Sequence, residues 1–199
     1  FKQKTAYEIM PSLVGSEMCI RDRFVRIPSM KERFGISAAC VAGAALYKGV
    51  ARYIGMKVFD VKGATGDKNT DLRAKIRKVR ELIDSGKYDL VFLHVKATDS
   101  YSHDKDCYGK IRFIEKIDRI IGPVLVKLSK HHDIIVTGDH ATPCSVGDHT
   151  DDPVPFLMVG PNIHSDDVNR FGERWCKGGG LGILAGKDII KIIKRFCSN

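Results

Sequence analysis

The chain has 199 residues, enough for one domain, and 43% of them are apolar, which excludes an intrinsically disordered protein. Its formal net charge of +9 is compatible with nucleic acid, an anionic membrane surface or a small anionic substrate as partner. No apolar run reaches the roughly 18 residues that a membrane span needs, so we expect no membrane partner. The six cysteines form no CxxC pair. They therefore predict a reduced, cytoplasmic protein rather than a disulfide framework or a zinc finger.

The first residues are set apart from the fold prediction. Residues 11–23 (PSLVGSEMCIRDR) resemble a translated sequencing-adapter segment, and they lack the apolar core and cleavage site of a signal peptide. We therefore divide the chain into a non-native segment, residues 1–23, and one domain or a part of one, residues 24–199.

Helix and strand patterns alternate along the rest of the chain. The small, apolar residues 36–54 predict a buried helix that ends at Gly55. Strands are predicted at residues 56–61, 89–95, 133–137 and 154–159, and further helices at 71–84, 108–128 and 188–196. This alternation predicts an α/β fold with a largely parallel sheet flanked by helices.

Metal-ligand residue types follow or flank three of these strands. Asp99 and His103 come after the strand at 89–95, Asp139 and His140 directly follow the strand at 133–137, and His149 precedes the strand at 154–159. In open α/β sheets, ligands bind outside the carboxyl ends of the strands, so we expect all five side chains at one sheet edge. Carboxylates and imidazoles suit Zn²⁺, Mn²⁺ and related ions, and five ligands exceed one tetrahedral site. The pattern therefore predicts a pair of metal ions.

Longer motifs carry a resemblance to a known family. Residues 137–143 (TGDHATP), 148–161 (DHTDDPVPFLMVGP) and 92–104 (FLHVKATDSYSHD) resemble the three ligand loops of the alkaline phosphatase superfamily. Residues 49–71 (GVARYIGMKVFDVKGATGDKNTD) and 179–189 (GGLGILAGKDI) are similar to stretches of the archaeal-type, cofactor-independent phosphoglycerate mutases within that superfamily. The motifs occur in the order that this family shows.

The resemblance implies a division of the ligands between two divalent ions, which could be Mn²⁺, Zn²⁺, Co²⁺ or Mg²⁺. Asp99, His103 and His149 would hold one ion, and Asp139 with His140 would contribute to the other. In the family an aspartate and a serine nucleophile from the N-terminal part complete the second site, and neither is identifiable here. We therefore expect an alkaline-phosphatase-like domain that is incomplete at its N-terminus, with the nucleophile absent, and a chain that is inactive by itself.

The resemblance also implies an isomerase that interconverts 3-phosphoglycerate and 2-phosphoglycerate through a phosphoenzyme, in glycolysis and gluconeogenesis. Lys48 and Lys96 are candidates for binding the small anionic substrate, although an ordinary solvated lysine is an equally good interpretation of each. His94 lies within an apolar strand, and we interpret it as a hydrogen-bonded core residue or a residue that supports a ligand.

Two other classes of function remain open at this point. A phosphatase, phosphodiesterase, phosphonate hydrolase or sulfatase of the same superfamily would share the metal ligands, and only the similarity outside the ligand loops favours the mutase. A basic nucleic-acid-binding domain would need aromatic or glycine-rich readout elements on a basic face, and the sequence shows none. We therefore expect no nucleic-acid partner, and the metal identity and oligomeric state stay open.

Overall fold

The computed structural model describes residues 26–197, so the prediction made for residues 1–23 lies outside the described part. Its main sheet contains strands β1 (Ala38–Val41), β2 (Lys57–Val58) and β3 (Leu90–Leu93) in the order β2-β1-β3. Both pairings are parallel, with Ala39 opposite Lys57 on one side and opposite Val91 on the other. Helices α1 (Met30–Phe34), α2 (Ala45–Tyr53) and α3 (Leu72–Asp84) complete this first half of the chain.

Strand β1 is the centre of the core because it is covered on both faces. Its even-numbered residues Ala38 and Cys40 belong to a cluster that includes Met30 of α1 and Ala51 of α2. Its odd-numbered residues Ala39 and Val41 belong to a second cluster, which packs against helices on the opposite face. A parallel strand buried on both faces reads as a continuous apolar run rather than an alternating one.

The second half of the chain contributes the helices of the opposite face and a second sheet. Helix α4 (Ala97–His103) leads into the long helix α5 (Cys107–Leu128), whose Phe113 and Ile121 are buried in the same cluster as Val41. Strands β4 (Ile134–Thr137) and β5 (Phe156–Val159) pair with each other in antiparallel fashion. A short helix α6 (Glu173–Cys176), a 3₁₀ turn (Gly186–Asp188) and helix α7 (Ile189–Cys197) follow.

The predicted α/β class is confirmed, with a parallel three-stranded sheet flanked by helices. We expected all five predicted ligands at the edge of one sheet. In the described part of the chain, the strands that precede them belong to two sheets. Strand β3 lies in the parallel sheet, whereas β4 lies in the antiparallel pair. No helix within residues 26–197 is both long and apolar enough to cross a bilayer.

The prediction of one helix over residues 36–54 is wrong. Residues 38–41 form strand β1, and only Ala45–Tyr53 are helical. A short, fully buried apolar run cannot be assigned to helix or strand from periodicity alone. Gly43 separates the two elements where the backbone passes so close to Thr65 that a Cβ would lie 1.9 Å from its carbonyl oxygen.

Candidate metal centre

Helix α4 places two of the predicted ligands on one face. Asp99 and His103 are four residues apart, a spacing that puts side chains next to each other on a helix. His103 Nε2 lies 3.2 Å from Asp99 Oδ1. Asp99 is the more enclosed of the two, with 12% of its side chain exposed against 38% for His103. The short helix that follows β3 therefore holds Asp99 and His103 side by side on one face.

The loop between β4 and β5 brings the remaining histidines to that pair. An isolated antiparallel bridge joins Ala141 to Thr150, with Thr150 N donating to Ala141 O at 3.0 Å. The bridge places His140 and His149 side by side although they are nine residues apart, and their ring centroids are separated by 3.8 Å. Gly147, which adopts a left-handed φ of +79°, allows the chain to turn within this loop.

Three of the predicted ligands converge on one point. One ligand atom each from Asp99, His103 and His149 lies within 4.8 Å of the others. His149 Nε2 is 3.5 Å from Asp99 Oδ1, the same oxygen that His103 approaches. The other oxygen, Oδ2, accepts a hydrogen bond of 2.5 Å from Lys96 Nζ. Burial by itself raises the pKa of Asp99, but the hydrogen bonds from Lys96 and Thr142 outweigh it and lower the pKa below its usual range.

The donor set fits a divalent cation. His103 Nδ1 lies 3.0 Å from Gly147 O, and because a carbonyl oxygen only accepts, Nδ1 carries the proton. In the neutral ring, Nε2 therefore directs a lone pair towards the Asp99 carboxylate. A lone pair and a carboxylate oxygen repel each other unless a positive charge lies between them. Three ligands of this chemistry, with the second nitrogen of a histidine fixed by an acceptor, are typical of metal sites.

Asp139 and His140 lie beside this group but have their own partners. Asp139 Oδ2 is 3.6 Å from His140 Nε2, and it accepts a hydrogen bond of 2.5 Å from the phenol of Tyr47. His94 Nε2 is 3.8 Å from the same oxygen, and its ring stacks on that of Tyr47 with a centroid separation of 3.5 Å. The imidazole of His94 and then the phenol of Tyr47 hold the pKa of Asp139 well below its usual range, although burial opposes them.

The two candidate substrate lysines are both paired with carboxylates. Lys48 Nζ lies 2.6 Å from Asp60 Oδ1, and Lys96 contacts Asp99 as described. His94 is 9% exposed, so it is a core residue, and its Nε2 lies 3.8 Å from Oδ2 of Asp139, a predicted ligand. Ser102, which stands between Asp99 and His103 in the sequence motif, is fully buried and donates to Thr98 O.

Sequence reasoning missed Tyr47 and Thr142. Tyr47 lies in a stretch that was predicted as an unbroken buried helix, and its partner Asp139 is 92 residues away, so no spacing signal could have linked them. Thr142 lies within the TGDHATP motif two residues after His140, and its position next to a predicted ligand was a usable signal. Its hydroxyl donates to Asp99 Oδ1 at 2.9 Å.

Comparisons with known proteins identify relatives of this chain. The chain is 45% identical over 171 residues to the 2,3-bisphosphoglycerate-independent phosphoglycerate mutase of Pyrobaculum islandicum, which covers 86% of this chain and 41% of that protein. It is also 45% identical, over 163 residues, to the mutase of the same name from Thermococcus kodakarensis. The chain thus spans about two-fifths of the length of these relatives.

Solved structures show the same relationship. A protein from Pyrococcus horikoshii superimposes with a TM-score of 0.81 at 43% identity, covering 86% of this chain and 52% of that one. The cofactor-independent phosphoglycerate mutase of Thermoplasma acidophilum superimposes with a TM-score of 0.66 at 30% identity, covering 86% of this chain and 39% of that one. The sequence profile of the Metalloenzyme superfamily matches residues 18–194. Together with the clustered aspartate and histidines, this match shows that the chain belongs to the Metalloenzyme superfamily.

Proposed function

We propose that this chain forms the metal-binding part of a 2,3-bisphosphoglycerate-independent phosphoglycerate mutase, an isomerase that interconverts 3-phosphoglycerate and 2-phosphoglycerate in the cytoplasm. The observation that carries the proposal is the convergence of Asp99, His103 and His149 within a chain about 45% identical to enzymes of that name. The same ligands could serve a related hydrolase, but the similarity to the mutases extends over 171 residues and not only over the ligand loops.

We assign Asp99, His103 and His149 to one divalent ion and Asp139 with His140 to a second. When bound, such ions supply Lewis-acid stabilisation of the phosphoryl charge and favour the ionised form of a hydroxyl nucleophile. The chain's own residues prepare the site for this. Gly147 O holds the His103 ring with Nε2 facing Asp99, and Lys96 offsets the negative charge on Oδ2 of Asp99.

The proposed reaction is a transfer through a phosphoenzyme. A serine takes the phosphoryl group of 3-phosphoglycerate and returns it to the neighbouring hydroxyl of the same glycerate. Ser102 does not fit this role, because its hydroxyl is buried and its oxygen accepts a hydrogen bond from Lys110 at 2.7 Å. The mutase relatives extend well beyond the part that this chain matches, and we propose that the nucleophile and the remaining ligands belong to that part of the enzyme.

Substrate binding requires cations that balance a phosphate and a carboxylate. Lys48 and Lys96 are our candidates, and each now contacts a carboxylate of the chain. For Lys48 the partner is Asp60, whose side chain is 70% exposed, so an anionic substrate could compete for this lysine. Lys96 would have to bind the substrate while its ammonium group also stays close to the Asp99 carboxylate.

Activity measurements test the mutase proposal. The enzyme made from the complete gene is expected to convert 3-phosphoglycerate to 2-phosphoglycerate without added 2,3-bisphosphoglycerate, and to stop when EDTA is added. The 199-residue chain alone is expected to show little or no turnover, because we propose that the nucleophile belongs to the part of the mutases that this chain does not match. Release of inorganic phosphate without 2-phosphoglycerate would instead identify a hydrolase.

Calorimetric titration of the 199-residue chain with Mn²⁺ tests the ligand assignment separately. Three protein ligands and water make an ordinary metal site, whereas two ligands seldom hold an ion well, so we expect one tight and one weak binding event. His149→Ala should abolish the tight event and His140→Ala should leave most of it. His164→Ala, which removes an exposed histidine, is the matched control. Two equal tight events, or a tight event that survives His149→Ala, would contradict the assignment.

A further inference from the structure

Thr142 contacts one proposed ligand from each half of the metal centre. Its hydroxyl donates to Oδ1 of Asp99 at 2.9 Å, and the same oxygen lies 3.1 Å from Nδ1 of His140. The residue is 6% exposed, so water does not compete freely for these hydrogen bonds. Asp99 belongs to the group with His103 and His149, whereas His140 lies next to Asp139. A single buried hydroxyl of the β4–β5 loop therefore joins a side chain of α4, Asp99, to a side chain of its own loop, His140.

The direction of these hydrogen bonds is determined by the chemistry of the groups. An ionised carboxylate only accepts, so the single hydroxyl proton of Thr142 is committed to Asp99. Towards His140 the threonine oxygen can then act only as an acceptor, which requires the proton on Nδ1 of the imidazole. Neutral imidazole carries one proton, so Nε2 of His140 is left with a free lone pair. That nitrogen lies 3.6 Å from Asp139 Oδ2, where the second ion is assigned.

We propose that Thr142 is a positioning residue that fixes the Nδ1–H tautomer of His140 and links it to Asp99, so that both proposed metal sites are prepared together. The inference rests on the proposed metal-binding function, and it adds a residue that the ligand assignment does not contain. A histidine that binds a metal usually donates its other nitrogen to an oxygen acceptor, and loss of that acceptor typically weakens binding about 10- to 100-fold.

His103 and His140 are held at Nδ1 by different kinds of acceptor. His103 donates to a backbone carbonyl, that of Gly147, which no substitution can remove. His140 instead faces a side-chain hydroxyl. The role of Thr142 can therefore be tested by exchanging one oxygen for one methyl group.

Thr142 is itself held by a neighbouring helix. Lys110 of α5 donates to the backbone oxygen of Thr142 at 3.0 Å and to the hydroxyl oxygen of Ser102 at 2.7 Å. Ser102 donates in turn to Thr98 O, within α4. Lys110 therefore ties the β4–β5 loop to the helix that carries Asp99 and His103. This support keeps the backbone of Thr142 in place when only its hydroxyl is changed.

The tautomer can be measured in the metal-free, wild-type chain. Long-range proton–nitrogen NMR correlations distinguish a protonated ring nitrogen from one with a free lone pair, and His140→Gln assigns the signals. At a pH of about 8, where an ordinary imidazole is neutral, we expect the proton of His140 on Nδ1. A proton on Nε2 in the folded wild-type chain would overturn the proposal without any variant being made.

Two substitutions of Thr142 then test its effect on binding. Thr142→Val keeps the shape and removes the hydroxyl, and Thr142→Ser keeps the hydroxyl and removes the methyl group. By calorimetry with Mn²⁺, we expect Thr142→Val to weaken the tight event at least tenfold, because the Asp99 carboxylate loses its hydrogen-bond donor. The same variant should let His140 adopt either tautomer, whereas Thr142→Ser should keep both the affinity and the Nδ1–H tautomer. The matched control is Thr70→Val, because Thr70 is 2% exposed and its hydroxyl oxygen has no hydrogen-bond partner among residues 26–197.

The outcomes separate this proposal from the ligand assignment. If the wild-type chain binds Mn²⁺ tightly and Thr142→Val binds it equally well with the His140 proton still on Nδ1, the linking role is wrong and the assignment stands. If His149→Ala also leaves tight binding intact, the assignment itself is wrong. If Thr142→Val does not fold, Thr142→Ser and the wild-type NMR measurement still decide, because a role in packing alone predicts no fixed tautomer.

Discussion

The phenol of Tyr47 donates a hydrogen bond of 2.5 Å to Oδ2 of Asp139, although the two residues are 92 positions apart in the sequence. Burial first, and then the negative charge of Asp139, raises the pKa of Tyr47 well above its ordinary value, so the phenol stays a donor at neutral pH. Helix α2 of the first half of the chain is thereby connected to the loop that follows β4.

This relationship predicts the result of Tyr47→Phe. Removing the phenol hydroxyl removes one of the donors that stabilise the ionised Asp139 carboxylate, so the pKa of Asp139 should rise towards the ordinary value of about 3.9. His94 remains and should keep the pKa from rising fully. A carboxyl carbon-13 NMR titration of the metal-free chain measures the change.

The sign of the accompanying stability change follows from linkage. A lowered pKa in the folded state adds stability above the unfolded pKa, and this stability is lost as the pH falls through the folded value. Tyr47→Phe should therefore lose less stability on acidification than the wild type. Tyr108→Phe, at a side chain that is 77% exposed, is the control. An unchanged pKa of Asp139 in Tyr47→Phe would contradict the prediction.

Lys75 predicts a second pH dependence, in the alkaline range. It is fully buried, and its ammonium group donates to the carbonyl oxygens of Thr65 and His94, both at 3.1 Å. Burial lowers the pKa of Lys75 to about 8. Between this value and the unfolded pKa of about 10.4, the unfolded chain binds more protons than the folded one. The free energy of unfolding should therefore rise from pH 8 towards pH 10, by up to about 1.4 kcal/mol per pH unit.

Urea unfolding of wild type and Lys75→Met at several pH values tests this. The free energy of unfolding of Lys75→Met should not show this rise from pH 8 towards pH 10, because the variant has no group that titrates at this position. Lys130→Met, at an exposed lysine, should retain the wild-type slope. Equal slopes for Lys75→Met and the wild type would show that Lys75 stays charged throughout this range.

Gly43 and Gly49 lie in opposite surroundings, one crowded by backbone and one open. A Cβ on Gly43 would lie 1.9 Å from the carbonyl oxygen of Thr65, so Gly43→Ala must displace one of two chain segments. We expect it to destabilise the protein by about 3 kcal/mol or more, within the range of severe overpacking. Gly49 lies inside α2, and a Cβ there would meet nothing within 4 Å.

Gly49→Ala is therefore the matched control, with the opposite expected sign. Alanine is favoured over glycine in a helix interior by about 0.5–1 kcal/mol, so this variant should be slightly more stable than the wild type. Thermal unfolding of both variants measures the difference. If the two alanine variants were equally stable, the close approach of residues 43 and 65 would be refuted.

Leucine truncations test the location of the core. Leu72 is 1% exposed and lies in the cluster between the parallel sheet and α5. Leu72→Ala should cost about 2–5 kcal/mol, because it removes buried methyl groups and leaves a cavity. Leu46 is 71% exposed on α2, so Leu46→Ala should change stability by less than about 0.5 kcal/mol. A small effect of Leu72→Ala in chemical denaturation would mean that this cluster is not the core.

The sequence by itself predicted the elements whose patterns are long or strongly periodic. Helix α3 begins and ends within one residue of the predicted range, and α5 does the same, because their apolar residues recur at helical spacing over several turns. Strands β3 and β4 lie within their predicted ranges, because each is a short, continuous apolar run next to polar residues. Strand β1 was missed because four small buried residues fit a helix as well as a strand.

The chemical character of the candidate site was also readable from the sequence. Spacing along one helix already brings Asp99 and His103 together, and short motifs place Asp139, His140 and His149 in one loop. Local geometry of this kind depends only on residues close together in the chain. The sequence could therefore indicate which side chains carry the chemistry, before any long-range contact was known.

Only the tertiary structure decided which partners these side chains meet. The hydrogen bonds from Tyr47 to Asp139 and from Thr142 to Asp99 join residues 92 and 43 positions apart. The burial of Lys75 between the carbonyl oxygens of Thr65 and His94 is equally non-local. Such contacts depend on how β3, α2 and the β4–β5 loop pack against one another. Packing in three dimensions leaves no regular spacing in the sequence from which it could be inferred.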